Sequence, residues 1–89
     1  MNRKAPLPNW TLVTAEDIGR CVRDQRKAQG ATQSDLAALC GVGIRFISEL
    51  ENGKPTAELG KVLQLLKCLG LEISARPRHW ESRSIWRSE

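Results

Sequence analysis

Ile44, Arg45, Ser48 and Glu49 are spaced so that a helix would carry all four on one side. An arginine guanidinium can donate two parallel hydrogen bonds to a planar acceptor pair such as guanine O6 and N7. An isoleucine beside it can meet a thymine methyl, and Ser48 can reach a base edge or a phosphate. Glu49 can accept from cytosine N4, or it can steer Arg45 from one turn away. The alternative is an ordinary solvent-exposed helix face, which an isoleucine beside an arginine fits less well. The chemistry on offer is recognition of base-pair edges.

Other chemistry is poorly served. The one histidine, His79, sits beside Trp80 with no ligand set and no triad partner. Acidic residues fall at helix starts and on surface faces, and no glycine-rich phosphate loop follows a strand. The expectation is a binding protein, with no enzyme activity, no cofactor and no metal. Three cysteines, Cys21, Cys40 and Cys68, make an odd number without metal-ligand spacing. Each occupies an apolar position of a helical pattern, which predicts reduced, buried core residues of a cytosolic protein.

Eighty-nine residues, 40% of them hydrophobic, suffice for one small domain. The net charge of +4 suits an anionic partner. Its distribution is uneven. Residues 1–30 hold six basic and three acidic side chains, residues 31–59 two and four, and residues 60–89 six and three. If the partner is nucleic acid, much of the long-range attraction must come from outside the central segment. The alternative is that the basic ends are simply solvated. Met1 to Asn9 is polar with two prolines, so no secretory signal is expected, and no apolar run is long enough to cross a membrane.

The elements that must position the four residues follow from periodicity and caps. Residues 1–12 lack periodicity and read as a flexible arm, with Leu12 and the following Val13 able to pack onto the domain. Thr14 is an N-cap for a first helix, with Glu16 and Asp17 where acids suit the dipole. Ile18, Cys21, Val22, Gln25 and Ala28 repeat at helical spacing, and Gly30 ends it. Thr32 caps a second helix with an inward face of Leu36, Ala37, Leu39 and Cys40. Gly41 suits a left-handed stop, Val42 plugs inward, and Gly43 serves as the next N-cap. A third helix runs from Ile44 to Asn52 with Phe46, Ile47 and Leu50 inward. Thr56 is expected to cap a fourth helix with Leu59, Val62, Leu63, Leu66 and Leu69 inward, closed by Gly70.

Residues 71–77 then alternate apolar and polar, as a half-buried strand does, until Pro77. A lone strand leaves its backbone unpaired. The simplest remedy is the same strand of a second copy, so Leu71, Ile73 and Ala75 are predicted to pair across a homodimer. The alternative is an extended loop. Residues 78–89 carry Trp80, Ile85 and Trp86 on a segment too short to form a core. Such anchors suit docking in a partner's pocket, or folding back on the dimer itself.

Two helices joined by a tight glycine-containing turn make a helix-turn-helix. The residues Arg26, Gly30, Thr32, Gln33, Leu36, Ala37, Gly41, Val42, Ile47, Ser48, Glu51, Asn52 and Gly53 resemble the Cro/C1-type, or Xre, family of helix-turn-helix repressors over residues 14 to 70. The resemblance implies an all-α, lambda-repressor-like domain over residues 13–70. It implies that Ile44, Arg45, Ser48 and Glu49 face the DNA groove, and that Gln33, Ser34, Gly43, Asn52 and Lys54 meet the DNA backbone. It makes Arg26 and Glu51 a structural ion pair. The face departs from phage repressors in lacking glutamines, and Gly43 has no side chain to offer DNA.

The sequence from Phe46 to Ile73, running directly into "LEISARP" and a tryptophan-bearing tail, is similar to HipB-like antitoxins, small dimeric repressors of toxin–antitoxin operons. That resemblance implies a homodimer on a palindromic double-stranded DNA operator. It also implies a HipA-like serine/threonine kinase toxin as a second partner, contacted by Trp80, Ile85 and Trp86, and a cytoplasmic location, on the nucleoid when DNA is bound. A stand-alone or phage-type Xre regulator without a toxin is the alternative. A third possibility, a protein-interaction module that has lost DNA binding, draws on the acidic balance of residues 31–59.

Overall fold

A computed structural model describes residues 9–78. Four helices are present: α1 (Ala15–Ala28), α2 (Gln33–Cys40), α3 (Ile44–Glu51) and α4 (Leu59–Cys68). The first two starts are set by local chemistry. The Thr14 hydroxyl accepts from the Asp17 N–H at 3.1 Å, while the Asp17 carboxylate accepts from the Thr14 N–H at 3.0 Å. Thr32 and Asp35 repeat the arrangement at 2.9 and 3.0 Å. Aspartate therefore completes both capping boxes, although glutamate and glutamine are the residues the motif is usually built from.

Between α2 and α3 the chain must reverse within three residues. Gly41 adopts φ 70°, ψ 30°, the left-handed region that is steeply unfavourable for a side chain. The N–H groups of Gly41 and Val42 both donate to the Ala37 carbonyl, at 3.1 and 3.3 Å, which closes the end of α2. Gly43 then serves as a backbone-only N-cap for α3.

Helices of eight residues are unstable alone, so α2 and α3 depend on what they bury. Val22 of α1, Leu36 of α2, Ile47 and Leu50 of α3, and Val62, Leu65, Leu66 and Leu69 from α4 and its end form one core. Ile47 and Leu65 are fully enclosed at its centre. α3 packs on both α1 and α2, and α4 closes the opposite side against α2. Gln25 and Gln29 donate to the Leu69 carbonyl at 3.3 and 3.0 Å, and Gln64 donates to the Cys40 carbonyl at 2.9 Å, so α4 is tied at its end and its middle.

Several expectations are corrected. Thr56 does not cap α4; the helix begins at Leu59 with Glu58 as N-cap and no side-chain capping bond. The inward face of α4 is rotated accordingly. Leu65 is its most buried residue, while Leu59 and Leu63 are 66% and 47% exposed. Leu39, expected inward, is 75% exposed. An eight-residue helix has too few turns for sequence to settle which apolar residues face the core. Cys40 and Cys68 are not reduced thiols but a disulfide, with Cα atoms 5.7 Å apart. Their separation of 28 residues hides the fact that α2 and α4 end side by side. Cys21 is free and buried as expected.

Residues 71–77 carry no strand, and none occurs among the described residues. A strand exists through its hydrogen-bonded partner, and the single chain supplies none here. Leu71 packs against the core, with its N–H on the Leu66 carbonyl at 2.9 Å, and the residues beyond it are exposed.

Candidate nucleic-acid interface

The four candidate reading residues stand together on α3. Ile44 is half exposed and Arg45 projects furthest, with 88% of its side chain accessible. Glu49 sits between two cations. Arg45 Nε donates to Glu49 Oε2 at 3.1 Å, and Lys54 Nζ donates to Glu49 Oε1 at 2.9 Å. Hydrogen bonds from Lys54 and then Arg45 hold the Glu49 carboxyl below its ordinary range. Nε is the atom engaged, and the two terminal nitrogens of Arg45 make no hydrogen bond among the described residues, which leaves both for a planar acceptor pair.

Below this surface lies a buried polar joint. Arg26 donates from Nε to Glu51 Oε2 at 2.7 Å and from Nη2 to Glu51 Oε1 at 2.9 Å. Its Nη1 donates to the Ala31 carbonyl at 2.9 Å. Gln33 Nε2 completes the group by donating to Glu51 Oε1 at 3.0 Å. One carboxylate thus joins the end of α1, the start of α2 and the last turn of α3. Burial pushes the Glu51 carboxyl up, but the hydrogen bonds from Arg26 and Gln33 outweigh it, and the net shift is down. The Glu51 hydrogen bond raises Arg26 against the opposing effect of burial.

The residues expected at the DNA backbone border the reading face. Gln33 opens α2 and places one of its amide hydrogens on Glu51, leaving the other for a further acceptor. Ser34 and Gly43 are exposed. Asn52 follows α3, with its amide nitrogen on the Ser48 carbonyl at 2.9 Å. The second amide hydrogen of Asn52 is left for another acceptor. Lys54 is held on Glu49, beside Arg45. The N–H groups of Gln33 and Ser34 make no hydrogen bond among the described residues, which suits a phosphate, while that of Asp35 is taken by Thr32.

The other predicted sites stand apart from this face. Ile73 and Ala75 are exposed beyond the end of α4, whereas Leu71 is turned toward its own core. Trp80, Ile85 and Trp86 lie outside the described residues.

Gly19 escaped the sequence reading. A Cβ there would collide with the Leu50 carbonyl oxygen and crowd the Glu51 backbone at 3.1 Å. α1 and the end of α3 therefore touch through backbone, which brings Arg26 within reach of Glu51. The signal was present: a glycine inside a helical pattern costs about 1 kcal/mol and usually has a packing reason.

Two short helices joined by the tight turn at Gly41 form a helix-turn-helix, and the chain belongs to that family. Residues 22–75 match the helix-turn-helix family described for such domains. The chain is a transcriptional regulator of the Cro/C1, or Xre, type, a family of DNA-binding proteins and not of enzymes. It is 57% identical over 62 residues to an uncharacterized HTH-type transcriptional regulator, y4mF, of Sinorhizobium fredii, covering 70% of this chain and 82% of that protein. Among solved structures, HipB in an O4 20mer complex superposes with a TM-score of 0.73 at 22% identity, over 80% of this chain and all of that one. HipB in a HipA–HipB–O2–O3 complex gives the same values. The restriction-modification controller protein C.AhdI of Aeromonas hydrophila superposes with a TM-score of 0.59 at 29% identity, over 65% of this chain and 88% of that one.

Proposed function

We propose that this regulator is a sequence-specific repressor that acts as the antitoxin of a HipA-like serine/threonine kinase and represses its own operon. Two copies bind a palindromic operator, each laying α3 in the major groove. Arg45 reads guanine with its terminal nitrogens, Ile44 meets a thymine methyl, and Ser48 reaches a base or phosphate. Glu49 steers Arg45 from within the protein. Gln33, Ser34, Gly43, Asn52 and Lys54 hold the flanking backbone.

The observation that carries this reading is the Arg45–Glu49–Lys54 cluster on an exposed helix face. The pair with Glu49, weak as exposed i,i+4 pairs are, biases the guanidinium's position before it meets a base. The antitoxin assignment draws support from likeness to HipB along the whole length of those chains, one of them in a complex with HipA. The dimer draws support from Ile73 and Ala75, exposed on an extended segment whose backbone has no ladder. A stand-alone Xre regulator is the second reading, favoured by the names of y4mF and of C.AhdI.

The test is titration of the full chain against duplex from its own promoter and against random duplex. Arg45→Ala is expected to cost about 1–3 kcal/mol on the promoter and to relax preference at one base pair. Equal losses on both duplexes would remove base readout. Co-expression with the neighbouring reading frame separates the two regulators: a kinase-like product that copurifies supports the antitoxin, and an isolated gene supports the second reading.

A further inference from the structure

The reading motif is short of positive charge. Residues 31–59 hold two basic and four acidic side chains. Both cations, Arg45 and Lys54, are bound to one carboxylate, Glu49. Duplex DNA presents about one negative charge per 1.7 Å of axis, so the neutralising cations must come from a neighbouring element.

α1 carries them. Arg20, Arg23 and Lys27 stand at i, i+3 and i+7 on its exposed side. Arg20 is held by Asp17 at 3.3 Å, but Arg23 and Lys27 pair with no carboxylate among the described residues. These two line one cleft with Arg26, Gln33, Glu51 and Asn52. Within that cleft Glu51 is neutralised by Arg26. Arg23 also acts on that carboxylate from a distance, so the three cations and one carboxylate of the cleft leave a net positive charge beside the amide side chains of Gln33 and Asn52.

We infer that Arg23 and Lys27 form a second phosphate-binding shelf, on α1, which grips the sugar-phosphate strand beyond the reach of Gln33 and Asn52. This rests on the DNA-binding reading of α3. Arg23 can take a phosphate with two parallel N–H groups, while Lys27 acts as a point charge. The shelf supplies affinity and orientation and carries no base preference.

The experiment measures binding of the full chain and of a double variant, Arg23→Gln with Lys27→Gln, over about 50–200 mM salt. The probes are a random duplex and a duplex from the chain's own promoter. The variant is expected to lower the slope of log K against log salt by about 0.9 for each phosphate it no longer neutralises. At about 0.1 M salt that is a loss of roughly tenfold per phosphate, equal on the two duplexes. A charge-preserving exchange, Arg23→Lys with Lys27→Arg, should keep the wild-type slope. An unchanged slope in the double variant, or a loss confined to the promoter duplex, would overturn the shelf and leave the α3 reading standing. A wild-type chain that ignores both duplexes would remove the two together.

Discussion

Glu51 is the residue on which three helices meet, and its chemistry makes a stability prediction. Its side chain is 5% exposed and that of Arg26 is 10% exposed. Removing one partner of such a pair leaves the other charge buried and unmatched. Glu51→Gln is therefore expected to cost about 3–5 kcal/mol in urea unfolding. The sign with pH is also determined. The folded Glu51 carboxyl lies below its ordinary range, so its contribution is whole above that range and disappears as pH falls through the lower, folded value. Asp17 and Asp35 are held down chiefly by backbone N–H groups at their helix starts, and they add to the same acid limb. Glu51→Gln should flatten part of that limb, and an acid transition identical to wild type would contradict the assignment. The pairing of Arg26 with Glu51 came from family resemblance. The participation of Gln33 and the Ala31 carbonyl needed coordinates, because hydrogen bonds between distant segments leave no mark on local spacing.

At the scale of elements, the contact of α1 with α3 decides how α3 is presented. By propensity alone, Gly19→Ala would stabilise an exposed helix by about 1 kcal/mol. Here the added methyl meets the Leu50 carbonyl oxygen, and backbone must yield. Net destabilisation of about 1–3 kcal/mol is expected from thermal or urea unfolding, and a gain would mean that the two helices do not touch there. The starts of α1 and α2 and the turn at Gly41 were legible because caps and left-handed glycines act within four residues. The start of α4 was not. Threonine is the better cap by type, yet residues 55 and 56 lie in a turn and the helix waits for Leu59. The rotation that buries Leu65 and exposes Leu59 and Leu63 is imposed by the core, which no local signal reports.

For the molecule as a whole, the proposed dimer would form through the segment after α4. Leu71 belongs to the core and its N–H closes α4 on the Leu66 carbonyl, so a clean test leaves it in place. Deleting residues 72–89 is expected to give a folded monomer by sedimentation, with the helical signal retained. An unchanged dimer would locate the self-association on another surface. The Cys40–Cys68 disulfide also belongs to this scale. It joins the ends of α2 and α4 and encloses α3 within its loop.

The amino-acid sequence alone determined the number of helices, the turn that joins α2 to α3 and the type of regulator. These rest on interactions between residues a few positions apart and on a motif contained in one short stretch. Only the tertiary structure decided that Gln33 joins Arg26 on Glu51, that Gly19 lets α1 reach α3 and that Cys40 meets Cys68. It also set which leucines of α4 face inward. Each of these depends on how close segments lie once the core has formed, and burial of apolar surface, having no direction of its own, leaves that geometry to the packing of the whole.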